Sequence, residues 1–171
     1  MHVNRADEVI LGIDPGLTCT GWGVVRKSGS RLIYVDSGKL RTRSAEPMAA
    51  RLSYLFSEIS QICRAHQVTR GAVEAGYVGT GAMSALKLGQ ARACAVLAIH
   101  EQAGVVTDIP PREVKMAVTG SGASSKHQVS YMVGKMLGIE FDDGEEDVSD
   151  ALAVAIAACS LRSPKQLSAT A

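Results

Sequence analysis

A chain of 171 residues is long enough for one domain with a substantial core, and its formal net charge of +1 supplies no overall attraction to nucleic acid or membrane. Any basic surface must therefore be local. The four cysteines, at positions 19, 63, 94 and 159, form no C-x-x-C, and each lies in or beside an apolar stretch. They read as small buried hydrophobes in a reducing compartment rather than as zinc ligands or disulfides. Residues 1–8 are charged and lack an apolar signal-peptide core, and the longest wholly apolar run, 151–159, falls far short of the ~18 residues of a membrane span. The expectation is a cytoplasmic protein.

The first element is Val9-Ile10-Leu11-Gly12-Ile13-Asp14-Pro15-Gly16. A short β-branched run predicts a strand buried on both faces, and Pro15-Gly16 ends it. Gly12 admits a close neighbour. Asp14 then stands at the carboxyl end of a central strand, where open α/β sheets place their sites, although an aspartate there also caps a Pro-Gly turn. Thr20–Val25 and Leu32–Val35 flank a Ser-Gly-Ser turn and predict a hairpin, giving three antiparallel strands in sequence. The second hairpin strand is expected to end at Asp36-Ser37-Gly38, and residues 39–45, with Lys39, Arg41 and Arg43, read as a basic loop.

Pro47 suits a first helical position, and Met48, Leu52, Leu55, Phe56, Ile59, Ile62 and Cys63 recur at helical spacing. Arg51, Glu58 and Arg64 fall on the solvated side. Gly71-Ala72-Val73-Glu74 repeats the opening pattern, a short buried strand ending in a carboxylate. A helix from Ser84 to Ala103, stopped by Gly104, is apolar nearly all round; it is either a central core helix or one whose outer face meets a second copy. Val105–Ile109 is the last strand, and Pro110-Pro111 starts a further helix. The Gly-rich run from Thr119 to Lys126 fails as a phosphate-binding P-loop, because Ser125 and His127 stand where that motif needs glycine and Ser or Thr. Ser125 and Gln128 instead have capping-box spacing for a helix whose core face carries Val129, Met132, Val133, Met136 and Leu137. After an acidic loop, Asp147 and Asp150 share one face of a final helix, one turn apart. They either cap that helix or belong to a site.

Two strand-end carboxylates, two more on one helical turn and a β-β-β-α-β-α-β-α order make a known pattern. The chain resembles the RuvC family of bacterial Holliday-junction resolvases, within the ribonuclease H-like superfamily. The resemblance rests on the opening Ile10–Gly16 with Thr20–Val25, on Val73-Glu74, and on the block Ser84-Ala85-Leu86-Lys87-Leu88-Gly89-Gln90-Ala91-Arg92. It continues through Val114-Lys115 and Ala117–Gly120, through Lys126, Gln128-Val129 and Met132-Val133, and through Asp147-x-x-Asp150-Ala151-Leu152-Ala153.

The resemblance implies an α/β fold: a five-stranded mixed sheet, its first three strands antiparallel, with helices on both faces in a single domain. Its core spans about residues 9–161, with a flexible tail at 163–171. It implies that Asp14, Glu74, Asp147 and Asp150 form the catalytic metal site. Two Mg²⁺ ions per subunit, with Mn²⁺ as a substitute, suit such an all-oxygen set. The reaction implied is paired, symmetric nicking of four-way DNA junctions, leaving 5′-phosphate and 3′-hydroxyl ends. Tyr77 matches a substrate-facing aromatic, and Lys115 and Lys126 match lysines near the cleft, all three as DNA contacts. The Ser84–Ala103 helix matches a dimer helix, which implies a homodimer, and the RuvA–RuvB branch-migration complex is the implied partner. His127 stays open between a role near the site and a plain surface residue. The loop 78–83 departs from the family at Gly81, where relatives commonly carry Asn, which leaves the preferred cleavage sequence open.

Three other readings are weaker. Actin-like phosphotransferases share a Gly-x-Asp-x-Gly-x-Thr opening, but that fold needs two such domains around a nucleotide. A non-cleaving nucleic-acid-binding relative does not need all four acids. A ribosomal-RNA-processing nuclease shares the opening motif without explaining the Ser84–Arg92 block.

Overall fold

The computed structural model describes residues 7–76 and 81–161. Tyr77 and the tail at 163–171, both singled out from the sequence, lie outside the described residues, as do positions 78–80 of the loop. The elements are β1 (Glu8–Asp14), β2 (Cys19–Ser28), β3 (Arg31–Arg41), α1 (Met48–Ala65), β4 (Arg70–Glu74), α2 (Ala82–Ala103), β5 (Val106–Ile109), α3 (Pro111–Thr119), α4 (Lys126–Leu137) and α5 (Glu146–Ser160). The strands lie in the order β3-β2-β1-β4-β5. β1 pairs antiparallel with β2, as β2 does with β3, while β4 runs parallel to both β1 and β5. This is the mixed five-stranded sheet expected from the sequence.

Each face of the sheet carries its own core. On one face, Ile10, Val25 and Ala72 pack with Ile109, Val114, Val133 and the apolar length of α5. On the other, Leu11, Ile13, Val24 and Val73 meet Leu55, Ile59 and Cys63 of α1 and Ala91, Ala95, Ala98 and Ile99 of α2. The alternation along β1, with Ile10 facing one core and Leu11 the other, is what a central strand with both faces covered requires. α5 is the central helix of its layer, and eleven of its residues are buried. It lies directly on β1, because a methyl at Gly12 would come within 2.2 Å of the Ala151 carbonyl oxygen.

Two expectations are corrected here. β3 does not end at Asp36-Ser37-Gly38 but runs on to Arg41, so Lys39 and Arg41 belong to a strand rather than a loop. The turn-forming residues are absorbed by a register shift opposite Val24 and Val25, and Gly38 lies under the indole of Trp22, about 3 Å from where its Cβ would be. Arg51 is not on the solvated side of α1. It is 6% exposed, and its guanidinium donates to Thr42 Oγ1 at 2.8 Å and to the Leu17 carbonyl and Thr18 Oγ1 at 3.4 Å. Three oxygen acceptors in the β1–β2 turn and after β3 compensate the burial of that charge.

Candidate active site

Asp14 and Glu74 end adjacent parallel strands. Ile13 is in register with Val73, and the two acids follow as the next residues of β1 and β4. Across the sheet in the other direction Asp14 pairs with Gly21, and Gly21 with Lys39, so Asp14, Gly21 and Lys39 form one row. The first turn of α5 descends onto this row at its middle. A Cβ on Gly21 would stand 1.9 Å from the Asp147 carbonyl oxygen, so only glycine lets the helix start here. Asp147 and Asp150, three residues apart on α5, are thereby brought to the ends of β1 and β4.

The electrostatics show that the four acids share one field. Burial pushes the Asp14 carboxyl up to about 7, helped by the charges of Glu74, Asp150 and Asp147 and opposed by Lys126. Glu74 is raised too, by burial and then by Asp150, against the cations of Lys126 and Lys115. Burial also works to raise Asp147. Hydrogen bonds from Cys19 and Lys39, and the charges of Lys39 and Lys126, outweigh it and hold that carboxyl below its ordinary range. Lys126 donates to Asp150 Oδ2 at 2.8 Å, and this bond and charge raise its own pKa. Its side chain is 74% exposed, so the ion pair is a weak, mobile one.

This donor set fits a hard divalent cation. It is all oxygen, and the pKa of Asp14 is raised by burial and by the repulsion of the neighbouring carboxylates, which a cation would relieve. Among the described residues no three His, Cys, Asp or Glu side chains close to ligand spacing around one point. Two of the carboxylates are held by ammonium groups instead, Asp150 by Lys126 and Asp147 by Lys39. A groove of about 810 Å³ opens from Lys126 and Asp150 along α4, with Tyr131 and Lys135 on one wall and Glu140 and Asp142 on the other. His127 is exposed and lines the same groove. Lys115 is half-buried on α3, close enough to lower Glu74 by its charge.

The sequence reading missed two residues that touch the site. Lys39 reaches Asp147 Oδ2 at 3.2 Å, and the Cys19 thiol donates to the same oxygen at 3.1 Å. Cys19 was expected to be an inert buried hydrophobe; it is half-buried at the mouth of the site. Cys63 and Cys159 do fit that expectation, with thiols pushed up to about 11 by burial. The signal for Lys39 was the hairpin register. Extending β3 by four residues would have set Lys39 opposite Gly21 and two strands from Asp14.

Comparisons with known proteins place the chain in a family. Residues 10–158 match the family model described as crossover junction endodeoxyribonuclease RuvC. A protein of that description from Nitratidesulfovibrio vulgaris is 42% identical over 151 residues, 88% of this chain and 90% of that one. Another, from Syntrophotalea carbinolica, is 44% identical over 147 residues, 86% and 91% of the two chains. Among solved structures, Thermus thermophilus RuvC in complex with a Holliday junction substrate superposes with a TM-score of 0.81 at 30% identity, covering 88% of this chain and 92% of that one. The yeast mitochondrial Holliday junction resolvase, at 13% identity and a TM-score of 0.64 over 88% and 77% of the two chains, shares the fold. The fold is ribonuclease H-like, and the chain belongs to the RuvC family of crossover junction endodeoxyribonucleases, metal-dependent hydrolases of DNA phosphodiester bonds.

Proposed function

We propose that this chain resolves four-way DNA junctions by hydrolysis at Asp14, Glu74, Asp147 and Asp150, which act together as catalytic residues and cation ligands. The observation that carries the reading is Asp14, half-buried at a strand end and raised to about 7 by that burial and by the charges of Glu74, Asp150 and Asp147. Two Mg²⁺ ions per subunit, or Mn²⁺ in their place, would lower the pKa of an attacking water and stabilise the leaving 3′-oxygen. The backbones of Asp14 and Glu74 are held at the ends of β1 and β4, whereas Asp147 and Asp150 approach from a helix seated by Gly21. Lys126, exposed and held by a single partner, is free to exchange Asp150 for a DNA phosphate, and Lys115 is placed for the same work beside Glu74. The ends left by this hydrolysis are a 5′-phosphate and a 3′-hydroxyl.

The junction in the Thermus thermophilus complex supports four-way DNA as the substrate. A homodimer through α2 is proposed because that helix leaves Met83, Leu86 and Leu97 exposed, and because two matched strands must be cut. A single domain rests on chain length and a cytoplasmic location on the cysteine pattern, while cooperation with the RuvA–RuvB complex and a base-stacking role for Tyr77 rest on the family resemblance. The test is a synthetic four-way junction and a matched linear duplex, each incubated with the protein and either Mg²⁺ or chelator, with strands resolved on a denaturing gel. Paired symmetric nicks in the junction alone, and only with Mg²⁺, are expected. Equal cutting of the duplex, or cutting in chelator, would contradict the proposal.

A further inference from the structure

Asp147 differs from the other acids of the site in that one of its oxygens is already engaged by two protein donors. Oδ2 accepts from the Cys19 thiol at 3.1 Å and from the Lys39 ammonium at 3.2 Å. Lys39 also donates to the carbonyl of Gly144, in the turn just before α5. The Lys39 side chain is only 14% exposed, an unusual degree of burial for a lysine. Its two acceptors offset the cost of taking the ammonium out of water, and they fix it in place. Lys126 presents the opposite case, an exposed ammonium with one carboxylate partner, which a DNA phosphate can draw away.

We propose that Lys39 is a positioning residue for the cation site: a tethered positive charge that keeps Asp147 Oδ2 turned toward β2 and β3 and leaves Oδ1 as the one oxygen open to a divalent ion. This rests on the reading of the four acids as cation ligands. Lys39 thereby limits how tightly the site holds a cation, since it adds a repelling charge beside the ion and withholds an oxygen from it. Both effects act in the same direction.

The test is direct Mn²⁺ binding without DNA, by calorimetry and by the electron paramagnetic resonance of free Mn²⁺, on the unaltered protein, Lys39→Met and Lys39→Gln. Circular dichroism would confirm that each variant is folded. Removing the ammonium is expected to tighten Mn²⁺ binding about tenfold, the scale of one nearby unit charge partly screened by water. Lys39→Arg, which keeps the charge, is expected to stay near the unaltered value. In an Asp147→Asn background the Lys39→Met effect is expected to shrink, because the part that acts through that carboxylate is lost and only the direct repulsion of the ion remains. Junction affinity in chelator is expected to be unchanged.

Unchanged or weaker Mn²⁺ binding in both neutral variants would overturn the proposal. So would full tightening that persists without Asp147, or a loss of junction affinity in chelator, which would make Lys39 a phosphate contact. If the unaltered protein shows no saturable Mn²⁺ binding, the cation-site reading falls first and this proposal with it.

Discussion

Asp14 is the residue on which the site turns, and its charge makes the protein's stability sensitive to pH when cations are removed. An unfolded aspartate titrates near 3.8, whereas Asp14 in the folded chain titrates near 7. Between those values the native state holds a proton that the unfolded chain has lost. Its contribution to stability is therefore fully present below about pH 4 and is lost as pH rises through 7. The shift corresponds to a few kcal/mol. In chelator, the thermal midpoint is predicted to fall from pH 5 to pH 8. Asp14→Asn is predicted to flatten that fall and to raise the midpoint at pH 8 by several degrees. Calorimetric scans of the two proteins across this range would check it, and parallel pH profiles would contradict it. Asp14 and Glu74 were legible in the sequence because each follows a short buried run and ends it. Arg51 was not. Its helical position lies at the edge of the apolar stripe, one turn before Leu55, but only the tertiary placement of Thr18, Thr42 and the Leu17 carbonyl gives the guanidinium partners that allow it to be buried.

At the level of elements, the site depends on where α5 begins. Its first turn is carried over Gly21, and its body rests on Gly12, so two strand glycines set the height and register at which Asp147 and Asp150 arrive. The sequence showed the helix and the spacing of its two acids, and it showed that Gly12 admitted a close neighbour. Which helix would use that opening is a long-range fact that local patterning does not contain. α4 was legible to its first residue. Its start is a local signal, and the structure has both halves of the capping box, Gln128 N–H to Ser125 Oγ at 3.2 Å and Ser125 N–H to Gln128 Oε1 at 2.8 Å. β3 was cut short for the converse reason. Asp36-Ser37-Gly38 has the chemistry of a turn, and a bulge within β3 itself, at Val35, keeps it in the sheet.

For the whole molecule, the sheet divides the work between its faces. One face carries α3, α4 and α5 and brings the acids and lysines together at one end of the strands. The other carries α1 and α2. α2 is long and apolar enough to cross a membrane by length and composition alone, yet it packs on α1 and β4 and buries Ala91, Ala95, Ala98 and Ile99. Its outward side keeps Met83, Leu86 and Leu97 exposed, at 64%, 55% and 55%. Those side chains account for the nearly all-round apolar character that left two readings of this helix open in the sequence, and a second copy would cover them. Leu86→Glu is predicted to shift a dimer toward monomer in analytical ultracentrifugation at micromolar concentration, with Mn²⁺ binding retained. In junction assays the paired cuts should become independent single nicks. An unchanged sedimentation coefficient would place the dimer interface elsewhere.

The most direct test of the four-acid site is to measure junction binding and junction cutting side by side for Asp14→Asn. The account predicts that the variant shifts a four-way junction in chelator with the affinity of the unaltered protein, because Lys115 and Lys126 are untouched. It also predicts a single-turnover cleavage rate in Mg²⁺ at least a thousandfold lower, the scale of losing about 4 kcal/mol of transition-state stabilisation. Cutting within tenfold of the unaltered rate would contradict the assignment of Asp14, and with it the site built around it.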